Sequence, residues 1–219
     1  MSVQVRLVDI NPAMVEAWRS SFDDLPGVQI IQGSMLEQMV SAWVSPTNAR
    51  GVMDGGLDLV IKKHLGAAVE KRVQAEIARE PNATLSVGRA VVVPTGRQTP
   101  RYLISAPTMG TPQEDVSGTL NPAFACAAAL QAAAMLNARE PGAITSLALP
   151  GLGAATGGVP VDICADMMRA AYDLLQEEQF ETFDEMRAAL TAQLAHSAAM
   201  LGLSMPGSDK GNDFDEDSE

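Results

Sequence analysis

Ile144-Thr-Ser-Leu-Ala-Leu-Pro-Gly-Leu-Gly-Ala-Ala-Thr-Gly-Gly-Val-Pro160 reads as one short buried strand, a glycine-bearing loop, and the approach to a helix-patterned segment that begins at Val161. A second stretch nearer the front repeats the arrangement. There, Ala42-Trp-Val-Ser45 leads into Asn48-Ala-Arg-Gly-Val-Met-Asp-Gly-Gly-Leu-Asp58, and helical spacing follows. Strand, glycine loop, helix is how a chain presents bare backbone N–H groups and a helix N-terminus to an anion. Two such loops, about a hundred residues apart, suit the wrapping of a diphosphate better than the clipping of a single phosphate.

Outward from these loops, strand and helix signals alternate. Val3 to Ile10 is a strand by its β-branched content, and Asn11-Pro12 caps a helix running to Phe22. Val28 to Gln32 is the next strand, after the break at Pro26-Gly27. Leu57 to Ala78 carries helical apolar spacing broken near Gly66, which predicts two shorter helices. Gly88 to Pro94 and Arg101 to Pro107 are strands close enough to form a hairpin, so the sheet is expected to be mixed. Pro122 to Ala138 is an alanine-rich helix that must pack closely, and Val161 to Glu178 is another. Helices on both faces of one sheet follow from this alternation.

Phe183 to Leu203, with Met186, Leu190 and Leu194 on one face, is a further helix expected to pack on the domain edge or on a second copy of the chain. The division expected is a domain over residues 1–179, a helical extension over 180–205 and a disordered acidic tail over 206–219. The tail is too polar for apolar burial to offset its ordering entropy.

The chain has 219 residues, 47% hydrophobic but only 4% aromatic, so its core must be built of Ala, Val, Leu, Ile and Met. The net charge is -12, of which the stretch from Asp209 to Glu219 supplies -5. An acidic body argues against nonspecific nucleic-acid binding, where Lys and Arg must neutralise phosphates. Cys126 and Cys164 lack metal-ligand spacing and are expected as free buried thiols. The start of the chain lacks the basic and apolar regions of a secretory signal, and no apolar run approaches the ~20 residues that span a bilayer. A soluble, cytoplasmic protein is the expectation.

Two familiar phosphate fingerprints are excluded. A Walker loop would end in Gly-Lys-Ser/Thr, whereas Gly157-Gly158-Val159 stands here. A dinucleotide fingerprint would need glycine where Thr156 stands, and would open the first βαβ unit rather than the last. In the first loop, Asn48 lies at a strand end and Asp58 at a helix start. An asparagine amide both donates to and accepts from a sugar hydroxyl, and a carboxylate can hold a water or take its proton. Taken singly, a turn-forming asparagine and a helix-start aspartate that favours the macrodipole are the better readings. Asp54 is a further acid beside these glycines. Asp9, at the end of the first strand, either reaches a ribose or caps the Asn11-Pro12 turn. His64 and His196 stand alone on helix faces.

Taken together, strand-end Asn48, the Gly55-Gly-Leu-Asp58 run and the loop from Pro150 to Pro160 resemble a macro domain, over about Val28 to Gln176. The resemblance implies a three-layer α/β/α sandwich on a mixed central sheet, with ADP-ribose in a cleft above the strand ends. It implies Asn48 and the Gly55-Gly56 segment at the distal ribose, and the loop Gly151, Gly153, Ala154, Ala155, Thr156, Gly157, Gly158 and Val159 around the diphosphate. Some similar proteins hydrolyse ADP-ribosyl esters or acetylated ADP-ribose, and there the aspartate matching Asp58 positions the water. Asn48 and Asp58 are the residues that would carry catalysis, with no metal and no cofactor required. The alternatives are a reader of ADP-ribosyl marks without turnover, and a scaffold with a decayed cleft that uses the C-terminal helix and acidic tail for protein partners; the C-terminal helix is also where a homo-oligomer would form.

Two positions depart from the family pattern. The early strand usually ends in Gly-Asp, whose carboxylate meets the adenine amino group; here Gly33-Ser34-Met35 stands. Serine can hydrogen-bond but brings no charge. Gly157 replaces an aromatic that often lines the second loop, which removes a stacking surface.

Overall fold

A computed structural model describes residues 3–206. The acidic tail expected from position 206 onward lies, apart from Pro206, outside the described residues.

Among the described residues, six strands and six α-helices follow one another. They are β1 (Gln4–Asp9), α1 (Pro12–Ser21), β2 (Val28–Gln32), β3 (Ala42–Ser45), α2 (Gly56–Leu65), α3 (Ala68–Ile77), β4 (Val91–Pro94), β5 (Tyr102–Ser105), α4 (Asn121–Arg139), β6 (Ser146–Leu149), α5 (Val161–Glu177) and α6 (Phe183–Leu201). The strands form one sheet in the order β2-β1-β6-β3-β5-β4. All neighbours are parallel except β4 and β5, which pair antiparallel from Val91 opposite Ser105 to Pro94 opposite Tyr102. The carboxyl ends of β2, β1, β6, β3 and β5 therefore open on one edge. In open α/β sheets that edge is where ligands sit.

Strand residues alternate between two cores, as a period of two requires. Val5, Leu7, Val44, Ile104, Leu147 and Leu149 face one core, which α1, α4, α5 and α6 cover. Val8, Trp43, Leu103 and Ala148 face the other, closed by Ile61 and Leu65 of α2 and Val69, Val73 and Ile77 of α3. This is the three-layer α/β/α sandwich on a mixed sheet. The seven alanines buried along α4 remove side-chain bulk and let it lie close against the sheet and α5.

The helix ends follow local chemistry. Asn11 caps α1 by accepting from the Ala13 N–H, with Pro12 at the first helical position. Gly66, at φ 96°, stops α2, and α3 begins two residues later. Thr182 and Glu185 form a reciprocal capping box at the start of α6, and left-handed Gly202 ends it. Met186, Leu190, Leu194 and Ala198 of α6 are buried in the same core as α4. The apolar face of α6 thus covers the domain's own edge. The chain after it pairs with the loop before α4, Ser204 N–H donating to the Gly118 carbonyl and Leu120 N–H to that of Ser204. Among the described residues, no helix is long and apolar enough to cross a membrane.

Candidate functional site

A cavity of about 590 Å³ lies along the carboxyl edge of the sheet, within the range of small-molecule sites. Its floor comes from the segments that leave β1, β2, β3, β5 and β6. Of the residues singled out from sequence, Ser34, Met35, Asn48, Asp54, Gly55, Gly56, Asp58, Gly151, Gly153, Ala155, Thr156 and Gly157 line it. The two glycine loops, distant in sequence, meet at its mouth: a β-carbon added to Gly56 would lie 3.7 Å from the Thr156 hydroxyl oxygen.

Three expected residues stand behind this wall. Val159 is buried in the core, Ala154 packs against it, and Gly158 makes a left-handed turn toward Asp115 and Ser117. They shape the second loop without facing the cavity. The loop is held by Val159 N–H donating to the Gly153 carbonyl, Gly158 N–H to that of Ala155, and Val116 N–H to that of Gly157. Gly157 is required by packing, since a β-carbon there would sit 2.6 Å from a Val116 methyl and 2.7 Å from the Gly153 carbonyl oxygen. Among the described residues, the N–H groups of Gly153, Ala154, Ala155, Thr156 and Gly157 donate to nothing. A run of unspent donors beside a cavity is an anion-binding feature.

The first loop is braced from three sides. The buried side chain of Asn48 folds back on its own loop, donating to the Val52 carbonyl at 2.8 Å and accepting from the Arg50 and Val52 N–H groups. One amide hydrogen of Asn48 remains for a ligand. Glu70 accepts from the Met53 N–H at 2.8 Å and is neutralised by Lys62 at 3.1 Å, which fastens the loop to α2 and α3. Ala49 N–H donates to Met109 and Thr108 N–H to Thr47, so the extensions of β3 and β5 stay paired beyond the strands.

Asp58 is buried, 7% exposed, on the first turn of α2, and its carboxylate accepts from the Ser45 hydroxyl at the end of β3. Burial pushes its pKa up to about 7; the Ser45 hydrogen bond opposes this, while Asp54 and Glu70 add to it. The group is therefore divided between acid and carboxylate near neutrality, the condition that suits proton transfer at physiological pH.

Ser34 accepts from the Leu36 N–H at 3.2 Å and caps a short 3-10 turn, with Met35 buried behind it. Asp9 accepts from the Asn11 N–H at 2.9 Å, which is the capping reading, and from the Gly151 N–H at 3.2 Å. It also lines the cavity, as do Ile10, Thr47, Thr108, Met109 and Gln113, none of which the motifs singled out as binding residues. For Asp9 and Ile10 the available signal was an acid and an apolar residue at the end of the first strand. For the stretch from Thr108 to Gln113 there was only a polar loop. His64 packs on Trp43, with ring centroids 5.5 Å apart, away from the cavity wall. The cavity wall carries Asp9, Asp54 and Asp58 and, among the described residues, no Lys, Arg or His.

The model of the Macro domain family matches residues 44–168. An uncharacterized protein of Aquifex aeolicus is 31% identical over 141 residues, covering 64% of this chain and 78% of that protein. Among solved structures, the macrodomain of Mycobacterium tuberculosis DarG superposes with a TM-score of 0.54 at 24% identity, over 67% of this chain and 90% of its own. The Oceanobacillus iheyensis macrodomain solved with ADP gives 0.54 at 17% identity, over 75% of this chain and 90% of that one. A mutant of it solved with ADPR gives 0.54 at 15%, over 77% and 91%. At these identities the structural likeness speaks to the fold.

Proposed function

This chain belongs to the macro domain family, and from that premise we propose that it binds ADP-ribose and hydrolyses an ADP-ribosyl ester or O-acetyl-ADP-ribose at the distal ribose. The observation that carries the binding is the run of five unspent N–H groups from Gly153 to Gly157. It lies beside a cavity whose only charged side chains, among the described residues, are carboxylates. A diphosphate there would be held by main-chain dipoles. The Oceanobacillus iheyensis macrodomain, solved with ADP and, in mutant form, with ADPR, supports the same ligand class.

The hydrolytic half of the proposal rests on Asp58. A ligand lying along the strand ends, its diphosphate under the second loop, brings its terminal sugar over β3 and the start of α2, where Asn48, Asp54 and Asp58 line the wall. The remaining amide hydrogen of Asn48 would orient a sugar hydroxyl. Asp58, ionised above its raised pKa, would accept a proton from the attacking water. The loop dipoles and ligand diphosphate fix the geometry without a metal in any step.

Isothermal calorimetry of the full chain with ADP-ribose is the direct test of binding. A saturable exothermic isotherm is expected, and the absence of heat at millimolar ligand with folded protein would sink the proposal. Turnover of O-acetyl-ADP-ribose followed by product release then decides between a hydrolase and a reader module, since a reader binds without turning over.

A further inference from the structure

We infer that the β5 end of the cleft is an acyl subsite, where Met109, Pro112 and Gln113 receive the group esterified to the distal ribose and select a short, uncharged aliphatic acyl chain over one that ends in a carboxylate. This rests on the ADP-ribose reading above and narrows the substrate class of that site. Strand β5 lies beside β3, on the side away from β6 and its glycine loop. Beyond the two strands Asn48 and Met109 form a parallel bridge, and the Ala49 N–H donates to the Met109 carbonyl at 3.0 Å. Adjacent strands are about 4.8 Å apart. A substituent on a sugar held over Asn48 therefore has Met109 as its next neighbour outward from the diphosphate. The cavity continues there, lined by Thr108, Met109, Pro112 and Gln113.

The loop after β5 is held in a defined shape. Glu114 accepts from the Gly110 N–H at 2.8 Å and the Thr111 N–H at 3.0 Å, so its carboxylate is spent on the loop and does not line the cavity. Gln113 stands at φ 64°, a left-handed conformation that residues other than glycine adopt rarely and at a cost, and such positions gather at ligand sites. Its side chain is exposed at the cavity and has no hydrogen-bond partner among the described residues. Thr108 is 1% exposed, and its hydroxyl oxygen also lacks a partner among the described residues. Buried hydroxyls are nearly always paired, and an acyl carbonyl oxygen is an acceptor suited to both groups. Met109 is unbranched and adapts to what it touches, so an alkyl chain can cover it and Pro112 together. Asp54 and Asp58 are on the adjoining wall, which carries no Lys, Arg or His among the described residues. A carboxylate at this end would meet like charges and no counterion.

The test is calorimetry of the full chain with ADP-ribose and with analogues in which an acylamino group replaces a hydroxyl of the distal ribose, so that binding is read without turnover. The acyl groups are acetyl, butyryl and succinyl, the last matching butyryl in length but ending in a carboxylate. The butyramide should bind about 3-fold or more tighter than the acetamide, through its added methylenes. The succinamide should bind about 10-fold or more weaker than the butyramide. In Gln113→Lys, checked for native circular dichroism, the new cation should bring the succinamide within about 3-fold of the butyramide. A fourth analogue, the amide of a blocked glutamate side chain, distinguishes two sources of the same chemistry. Affinity equal to that of the butyramide supports the subsite with protein-borne esters as its source, and affinity about 10-fold lower supports it with a free small-molecule ester. Equal wild-type affinities for acetamide, butyramide and succinamide would overturn the subsite while leaving ADP-ribose binding intact. So would a Gln113→Lys protein that keeps the wild-type ratio of succinamide to butyramide. Failure to bind ADP-ribose itself would overturn both readings.

Discussion

Ser45 ends strand β3 and Asp58 lies on the first turn of α2, and the hydrogen bond from the first to the second closes the intervening loop at its base. The loop that carries Asn48, Asp54, Gly55 and Gly56 is thus clamped between a buried strand end and a buried carboxyl group. Because the clamp includes a titratable group held against its solution tendency, it makes stability depend on pH.

Asp58→Asn should stabilise the protein above neutrality. With its folded pKa raised from 3.8 to about 7, wild-type Asp58 binds more protons folded than unfolded between those values, so its contribution falls as pH rises from about 4 to 7 and levels off above. Asparagine keeps an acceptor for Ser45 without charge. Urea denaturation should show the variant gaining over wild type by an amount of the order of a few kcal/mol at pH 8 and by little at pH 4. A gain independent of pH would remove the raised pKa from the account.

Asp58→Ala should separate turnover from binding. Hydrolysis of O-acetyl-ADP-ribose should fall by about 100-fold or more while ADP-ribose affinity changes by less than about 5-fold. In the wild type, kcat should rise with pH through about 7, since the ionised form is the base. A loss of affinity as large as the loss of rate would make Asp58 a binding residue.

Gly157→Ala should distort the second loop. The added methyl would meet both Val116 and the Gly153 carbonyl oxygen; a side chain can give way, but the carbonyl also accepts from Val159 N–H. We expect ADP-ribose affinity to drop by about 10-fold or more, with a lower melting temperature. Gly27→Ala is the control, because nothing lies within 4 Å of its added carbon and stability there should change by less than about 0.5 kcal/mol. If the two variants bind alike, the loop geometry is irrelevant to the ligand.

Raising salt from 50 to 500 mM should leave ADP-ribose affinity unchanged or improve it. With no cationic side chain on the wall among the described residues and a net charge of -12, screening relieves repulsion instead of weakening an ion pair. A steep fall in affinity with salt would mean that Lys or Arg reaches the ligand.

Strands β2 and β3 were readable to the residue, and the break at Gly66 to within one turn, because apolar period and glycine punctuation are local properties of the chain. The mixed sheet followed from the short spacing between Pro94 and Arg101 for the same reason. The two glycine loops were legible as a pair, since strand, loop and helix succeed one another within about fifteen residues. What no stretch of sequence contains is the meeting of segments. The β1 end became part of the cavity because β1 lies beside β6, a pairing over more than a hundred residues that puts Asp9 against Gly151. Asn48 turned its amide into its own loop once that loop closed. Asp58 titrates near neutrality because β3, α2 and Glu70 enclose it, and α6 was committed to the domain by the apolar edge of α4. Local pattern determines which elements form, whereas dielectric surroundings, hydrogen-bond partners and exposure depend on neighbours distant in the chain, so those were decided by the tertiary structure.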